Sequence, residues 1–265
     1  MKKDLLSNPL QNIKNSSQNE LKRLSLRDVV IERMKQAIIN GELVDDQKVT
    51  ELEMAEWFGV SRGLIREVIR ELENSGILIN IPYRGTFVRA LTAERVNELY
   101  TLRDILEEYA VELAVDKADE AGINNLREII EKMYRYAKSE DVDSLVETDL
   151  EFHKTLYALS QHQLLIDMLE RLSGQTHMFI QATKAIYSLF PSLDEVARSH
   201  EPIVEAIAAR QGQNARNAIH YHISDVGQKL VNILNEKERI QNSLREISDT
   251  VSPDASVIPP NHPFF

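Results

Sequence analysis

The chain has 265 residues, enough for two domains that each bury a core. It holds no cysteine, which excludes disulfides, thiolate metal sites and a cysteine nucleophile, and which fits a reducing cytoplasm. The formal net charge is −11, but residues 21–89 balance 11 Lys/Arg against 11 Asp/Glu while residues 90–265 set 17 against 29. The acidity lies in the second half, so contact with a nucleic acid falls to the first.

Residues 1–23 open with lysines but have no apolar core segment of a secretion signal. Rich in Asn, Gln and Ser, they read as a flexible arm. No apolar run approaches the roughly 20 residues of a membrane-spanning helix, and no membrane association is expected. Leu26–Ile39 has the stripe of an amphipathic helix in Val29, Val30, Met34, Ala37 and Ile38, stopped by Asn40-Gly41.

The next stretch, VTELEMAEWFGVSRGLIREVIRELENSGIL, organises the front of the chain. Thr50 and Glu53 have the spacing of a capping box, in which each side chain satisfies the other's backbone N–H. A short helix burying Met54, Ala55 and Phe58 follows, and Gly59 supplies a tight turn. Ser61 caps a second helix that buries Leu64, Ile65, Val68, Ile69 and Leu72 and presents Arg62, Gly63, Arg66, Glu67 and Arg70 outward; Gly76 ends it. ILINI and TFVRA are strand-like runs joined by PYRG, with Gly85 free to adopt an unusual backbone angle. The helix pair alone fits an ordinary αα-hairpin. With a hairpin attached, and Tyr83 and Arg84 at its tip, residues 24–90 read as a DNA-binding winged helix-turn-helix.

Beyond Ala90 the pattern is helical throughout. Thr92 caps a run to about Lys117, and Gly122 is the expected break. Further runs cover 123–138, 142–159, 162–188, 192–210 and 213–238. Their lengths and short connections predict an all-α antiparallel bundle over residues 91–240. The Pro-rich end of the chain reads as an irregular tail over 241–265, its two final phenylalanines a feature without a clear partner. The fold class is therefore mainly α.

In the second half Asp149 and His153 share a helix face one turn apart. His200 opens a helix, and His222 sits well inside the last one. Three imidazoles and a carboxylate from three helices would suit a divalent cation: zinc first, with nickel or manganese as other fits and calcium a poor one. By spacing alone, isolated surface or core histidines explain the same residues.

The front of the chain resembles the GntR family of bacterial regulators, through LRDVVIERMKQAIINGEL, the helix-turn-helix stretch and YRGTFV. The rear resembles that family's FCD-type ligand-binding domain, through TLRDILEEYAVELA, DLEFHKTLYALS, SHEPIVEAI and HYHISDV. The resemblance spans residue 24 to about 235. It implies a cytoplasmic regulator that binds a double-stranded DNA operator as a homodimer and responds to a small organic acid. It places DNA contacts at Ser61, Arg62 and Arg66, with Arg84 and Gly85 in the wing. It places metal ligands at Asp149, His153, His200 and His222, with His220 off the pattern. An early arginine of the first bundle helix falls on Arg103, whose fork would hold a ligand carboxylate; an ion pair with Glu107 one turn on is the equal alternative. Gly63, Leu52 and SQHQLL depart from the family pattern. The competing functions are a regulator with a purely structural metal and a metal-dependent hydrolase or lyase. No phosphate loop, nucleophile elbow or paired base supports the enzyme.

Overall fold

The computed structural model describes residues 25–251. The front is a three-helix head with a small sheet: α1 (Leu26–Ile39), β1 (Lys48–Val49), α2 (Glu51–Phe58), α3 (Arg62–Asn74), β2 (Leu78–Ile81) and β3 (Gly85–Val88). The sheet is antiparallel in the order β1-β3-β2, so β1, absent from the sequence reading, covers the wing's outer strand. Its two residues are too few to leave a period of their own.

Local chemistry explains these elements. Ser25 and Asp28 form a full capping box on α1. Thr50 forms only half of one on α2: its hydroxyl accepts from the Glu53 N–H at 3.2 Å and donates to the Glu53 carboxylate at 2.7 Å, leaving that carboxylate off the Thr50 backbone. Gly59 makes the turn at φ +67°, a left-handed angle that costs glycine nothing. Phe58, Ile65, Val68 and Leu72 pack against Val30 and Met34 of α1 in one core.

The rear is the helical bundle: α4 (Ala93–Lys117), α5 (Glu120–Lys138), α6 (Val142–Leu159), α7 (Gln163–Ala182), α8 (Asp194–Arg198), α9 (Glu201–Ala208) and α10 (Gly212–Val251). A 3-10 turn over Lys184–Leu189 follows α7. No described helix is long and apolar enough to cross a membrane. Helices α4 and α10 run antiparallel, since His220 meets Asp104 while Arg216 meets Glu108 and Glu112. They approach closely because Gly227 has no Cβ; one there would lie 2.8 Å from the Tyr100 Cβ.

Four boundaries differ from the sequence reading. The break before α5 is at Ala118, because Asp119 rather than Gly122 is the stop-and-start signal: its carboxylate caps the Gly122 N–H at 2.8 Å inside the new helix. The run at 162–188 ends its α-helix at Ala182 and continues as the 3-10 turn. The run at 192–210 splits into α8 and α9, because Pro202 has no N–H to offer the Arg198 carbonyl. Helix α10 continues past 240 to Val251, since Gly227 and Pro253 bracket a stretch without a breaker.

The head sits on α7. Met178 is buried in the head's core, while Ile180 belongs to the bundle's core two residues later. Gly174 fits beneath Ser75, where a Cβ would be 3.3 Å from the Ser75 Cβ. Arg95 of α4 reaches Gln175 at 3.3 Å. One helix thus contributes side chains to both cores.

Candidate metal site and DNA-binding face

Helical periodicity stacks Asp149 and His153 on the inward face of α6. The break before Pro202 places His200 at the start of α9, and α10 brings in His222. His200 is fully buried, and His153 and His222 nearly so. The four candidate ligand atoms lie within 4.8 Å of one another, so the structure brings together all four residues singled out in the sequence.

The hydrogen bonds around them decide which ring nitrogens face inward. His200 Nδ1 is 2.7 Å from the Val196 carbonyl, which can only accept, so Nδ1 carries the proton and Nε2 is bare. His153 Nδ1 lies 2.8 Å from the Glu107 carboxylate, which bares its Nε2 in the same way. Ser199 donates to the Val196 carbonyl at 2.8 Å and therefore accepts from His222 Nδ1 at 3.1 Å. The bare His222 Nε2 then faces the bare His153 Nε2 at 3.2 Å. His200 Nε2 faces the Asp149 carboxylate at 3.2 Å and, as an acceptor against an acceptor, has no hydrogen-bond partner among the described residues.

Neutral, these contacts are lone pair against lone pair in a buried space, a costly arrangement unless a cation sits among them. At His222 a proton is a poor cation. Burial, reinforced by the neighbouring His200 and His153, holds the His222 imidazole well below its ordinary range. Burial pushes the Asp149 carboxyl up, but the neighbouring His200, His153 and Arg103 side chains outweigh that and hold it below its ordinary range. Three imidazole nitrogens and one carboxylate fit a divalent metal.

Glu107 organises the second layer. Its carboxylate takes Arg103 at 2.7 and 2.9 Å, the Tyr157 hydroxyl at 2.8 Å and His153 Nδ1. Burial raises the Glu107 carboxyl, yet Arg103 and His153 overcome this and hold it at about 2. Arg103 is itself buried and lies over the Tyr100 ring at 5.0 Å. Of the two readings left open for Arg103, the structure forms the Glu107 ion pair, and Arg103 also lines the cavity beside the metal residues. The sequence showed the i, i+4 pair. It gave no signal of the bond to His153, which lies far along the chain on another helix.

That cavity is tight, with about 30 Å³ of free space, and is partly open to solvent. Beyond the metal residues its wall is largely apolar, with Ile180, Ile186, Phe190, Val196 and Val226, and its polar groups are Tyr100, Arg103, Tyr187 and Ser199. The Tyr100 hydroxyl is buried at its edge without a hydrogen-bond partner among the described residues. Off-pattern His220 points away from the site and pairs with Asp104 at 2.8 Å. In SQHQLL, Gln161 takes φ +48° and the His162 ring caps α7 by accepting from the Leu165 N–H at 3.3 Å.

On the head, Ser61 caps α3, and Arg62, Arg66 and Arg70 are exposed. Arg66 is held by Glu51 of α2 in a two-point fork at 2.7 and 2.8 Å, a partner the sequence reading missed. At the wing tip Tyr83 is fully exposed at φ +64°, the Arg84 guanidinium lies 5.7 Å over the Phe87 ring, and Gly85 takes φ +105°.

Comparison with known proteins gives two matches along the chain. Residues 26–88 match the bacterial regulatory proteins of the gntR family, and residues 98–225 match the FCD domain. The chain is 29% identical to the uncharacterized HTH-type transcriptional regulator YdhC of Bacillus subtilis (strain 168), over 77% of this chain and 90% of that one. It is 25% identical to the gluconate operon transcriptional repressor of the same organism, over 74% and 82%. A crystal structure of a putative GntR regulator from Rhodococcus sp. RHA1 shares the fold with a TM-score of 0.61 at 20% identity, covering 79% of this chain and 99% of that one.

Proposed function

The chain belongs to the GntR family of bacterial transcriptional regulators, with a GntR head and an FCD domain, and from that premise we propose how its metal site and effector switch work. It is a DNA-binding regulator, not an enzyme. In the proposed reading it acts in the cytoplasm as a homodimer on a palindromic operator, since a single winged helix reads too few base pairs for useful affinity.

Asp149, His153, His200 and His222 hold one divalent ion, zinc first and nickel or manganese next, with positions left for water or a ligand carboxylate. When bound, the ion supplies a fixed positive charge to which a carboxylate can dock. The observation that carries this reading is the set of bare Nε2 atoms facing one another and Asp149 in a buried space.

The surroundings narrow the effector. Glu107 already neutralises Arg103, and Ser199 is spent between Val196 and His222. Tyr100, with Tyr187 beside it in the lining, is left to hydrogen-bond an effector against a largely apolar wall. A compact carboxylic acid with an apolar flank suits that lining; a polyhydroxylated acid would bury hydroxyls without partners. Arg103 serves the far end of the effector only by sharing its fork with Glu107.

Effector binding is read out through the helices that touch both the cavity and the head. Helix α4 begins just after the wing and carries Tyr100 and Arg103; α7 carries Ile180 at the cavity and Met178 in the head. A shift of either resets the spacing of two heads on the operator. By linkage, an acid that weakens DNA binding binds the DNA-bound protein more weakly by the same factor.

The test combines elemental analysis with operator binding by fluorescence anisotropy. Wild-type protein is expected to carry about one metal per chain and to release DNA when the right acid is added. The His153→Ala variant loses the metal and the response but keeps DNA binding. Full metal occupancy in His153→Ala, or a response in metal-stripped protein, refutes the reading. Metal without response to any acid leaves a structural ion.

A further inference from the structure

Helix α10 does not stop where the bundle ends. The FCD match closes at residue 225, yet the helix continues to Val251. Leu234 is the last buried residue among those described on it, and every residue over 235–240 is exposed. A helix extending alone into water gains little from its backbone and normally frays, so a continuation of this length needs something to pack on.

The sequence of the extension has the pattern for it. Inside the bundle, α10 turns Ile219, Ile223, the half-buried Val226 and Leu230 to the core at alternating four- and three-residue steps. The same steps continue unbroken through Ile233, Lys237 and Ile240. In the sequence they run on to 244, 247 and 251, which are Leu, Ile and Val. This is a heptad repeat, with 237, 244 and 251 at a and 233, 240 and 247 at d. The positions around it are polar: Glu236, Glu238, Arg239 and Asn242. On the described part, Leu189, Ile233 and Ile240 form an apolar groove, and Ile240 is 53% exposed.

We propose that the extension of α10 pairs with its counterpart in a second copy of this chain, as a short parallel two-stranded coiled coil. The one polar core position argues for a second copy over other occupants. A single lysine at an a position is a known device for fixing register and strand number at some cost in stability. Here its neighbour at g is Glu236, so in a parallel, in-register pair Lys237 of one copy lies beside Glu236 of the other, and the buried charge is matched on both sides. Lys237 and Glu236 both line the groove. The coil would place the two-fold axis at this end of the bundle. This adds a location to the homodimer proposed above and rests on that reading.

The absence of native cysteine makes a direct test simple. A disulfide needs Cα atoms within about 7 Å, which facing d positions of a parallel coil satisfy and outward positions do not. Full-length Ile240→Cys and Asn242→Cys proteins are oxidised mildly at high dilution and run on a non-reducing gel; light scattering on the unmodified chain accompanies them. The proposal predicts a covalent dimer for most of the Ile240→Cys protein and little for Asn242→Cys, at an outward f position. It also predicts that Lys237→Ile tightens the dimer, lowering its dissociation constant by about 10-fold or more. No cross-link at Ile240→Cys, as for an antiparallel pair or a stripe covered by the chain's own end or by another protein, overturns it. So does equal cross-linking at Asn242→Cys. A dimer by light scattering with no Ile240→Cys cross-link refutes the coil and leaves the homodimer standing, whereas a monomer removes both.

Discussion

Glu107 is a buried carboxylate that serves Arg103, His153 and Tyr157 at once, and Glu107→Gln tests that role. The substitution keeps the shape and one acceptor but removes the charge, leaving the Arg103 guanidinium, only 5% exposed, without its counterion. Breaking a buried pair by removing one partner typically costs about 3–5 kcal/mol. The depressed carboxyl points to the same order: burial raises it, but Arg103 and His153 hold it at about 2 against an ordinary 4.5, worth roughly 3 kcal/mol. Because the folded value is depressed, this stabilisation is present above pH 4.5 and lost as the pH falls toward 2. The measurement is urea unfolding of chelator-treated protein at pH 7.5, followed by circular dichroism. Glu107→Gln should lose about 3 kcal/mol there, and the gap to wild type should narrow once the pH drops below about 4.5. The same variant should bind its metal about 10-fold more weakly or worse, because His153 loses the carboxylate that orients it. A loss below about 1 kcal/mol at pH 7.5 would mean that Arg103 finds another partner, and the reasoning fails.

Two other expectations concern the head. Arg66→Ala should cost about 1–3 kcal/mol on the cognate operator and little on random duplex, since a base contact carries sequence information and a phosphate contact does not. Glu51→Ala should leave that preference in place, because it frees the Arg66 fork without removing it; equal losses on both DNAs for Arg66→Ala would refute base reading. Met178→Ala removes the α7 side chain buried in the head's core and should destabilise the head by about 2–4 kcal/mol, seen as an earlier first transition in calorimetry. Its operator affinity should stay within a few fold while its effector response shrinks; an undiminished response would show that α7 carries no signal.

Much of this protein was legible in its sequence, because the features that specify it are local. Periodicity marked the helices, Gly59 and Ser61 marked the turn and cap of the helix-turn-helix, and the Asp149–His153 spacing placed two groups on one face. Each depends on residues within about one turn of each other, where helix geometry alone fixes their relation. The misplaced boundaries were also local, and a closer reading of Asp119 and Pro202 would have moved two of them.

What only the tertiary structure decided are relations between distant residues. Nothing in the sequence says that Glu107 bonds His153, that Glu51 holds Arg66, or that the Val196 carbonyl and Ser199 turn two imidazoles so that their bare nitrogens face inward. The choice for Arg103 could not be made from sequence either. An exposed arginine one turn from a glutamate gains little by pairing, while a buried one cannot remain unpaired, and burial is set by how α4, α6 and α10 pack. Periodicity identifies the face that a helix buries, but the packing of the other helices determines what that face meets.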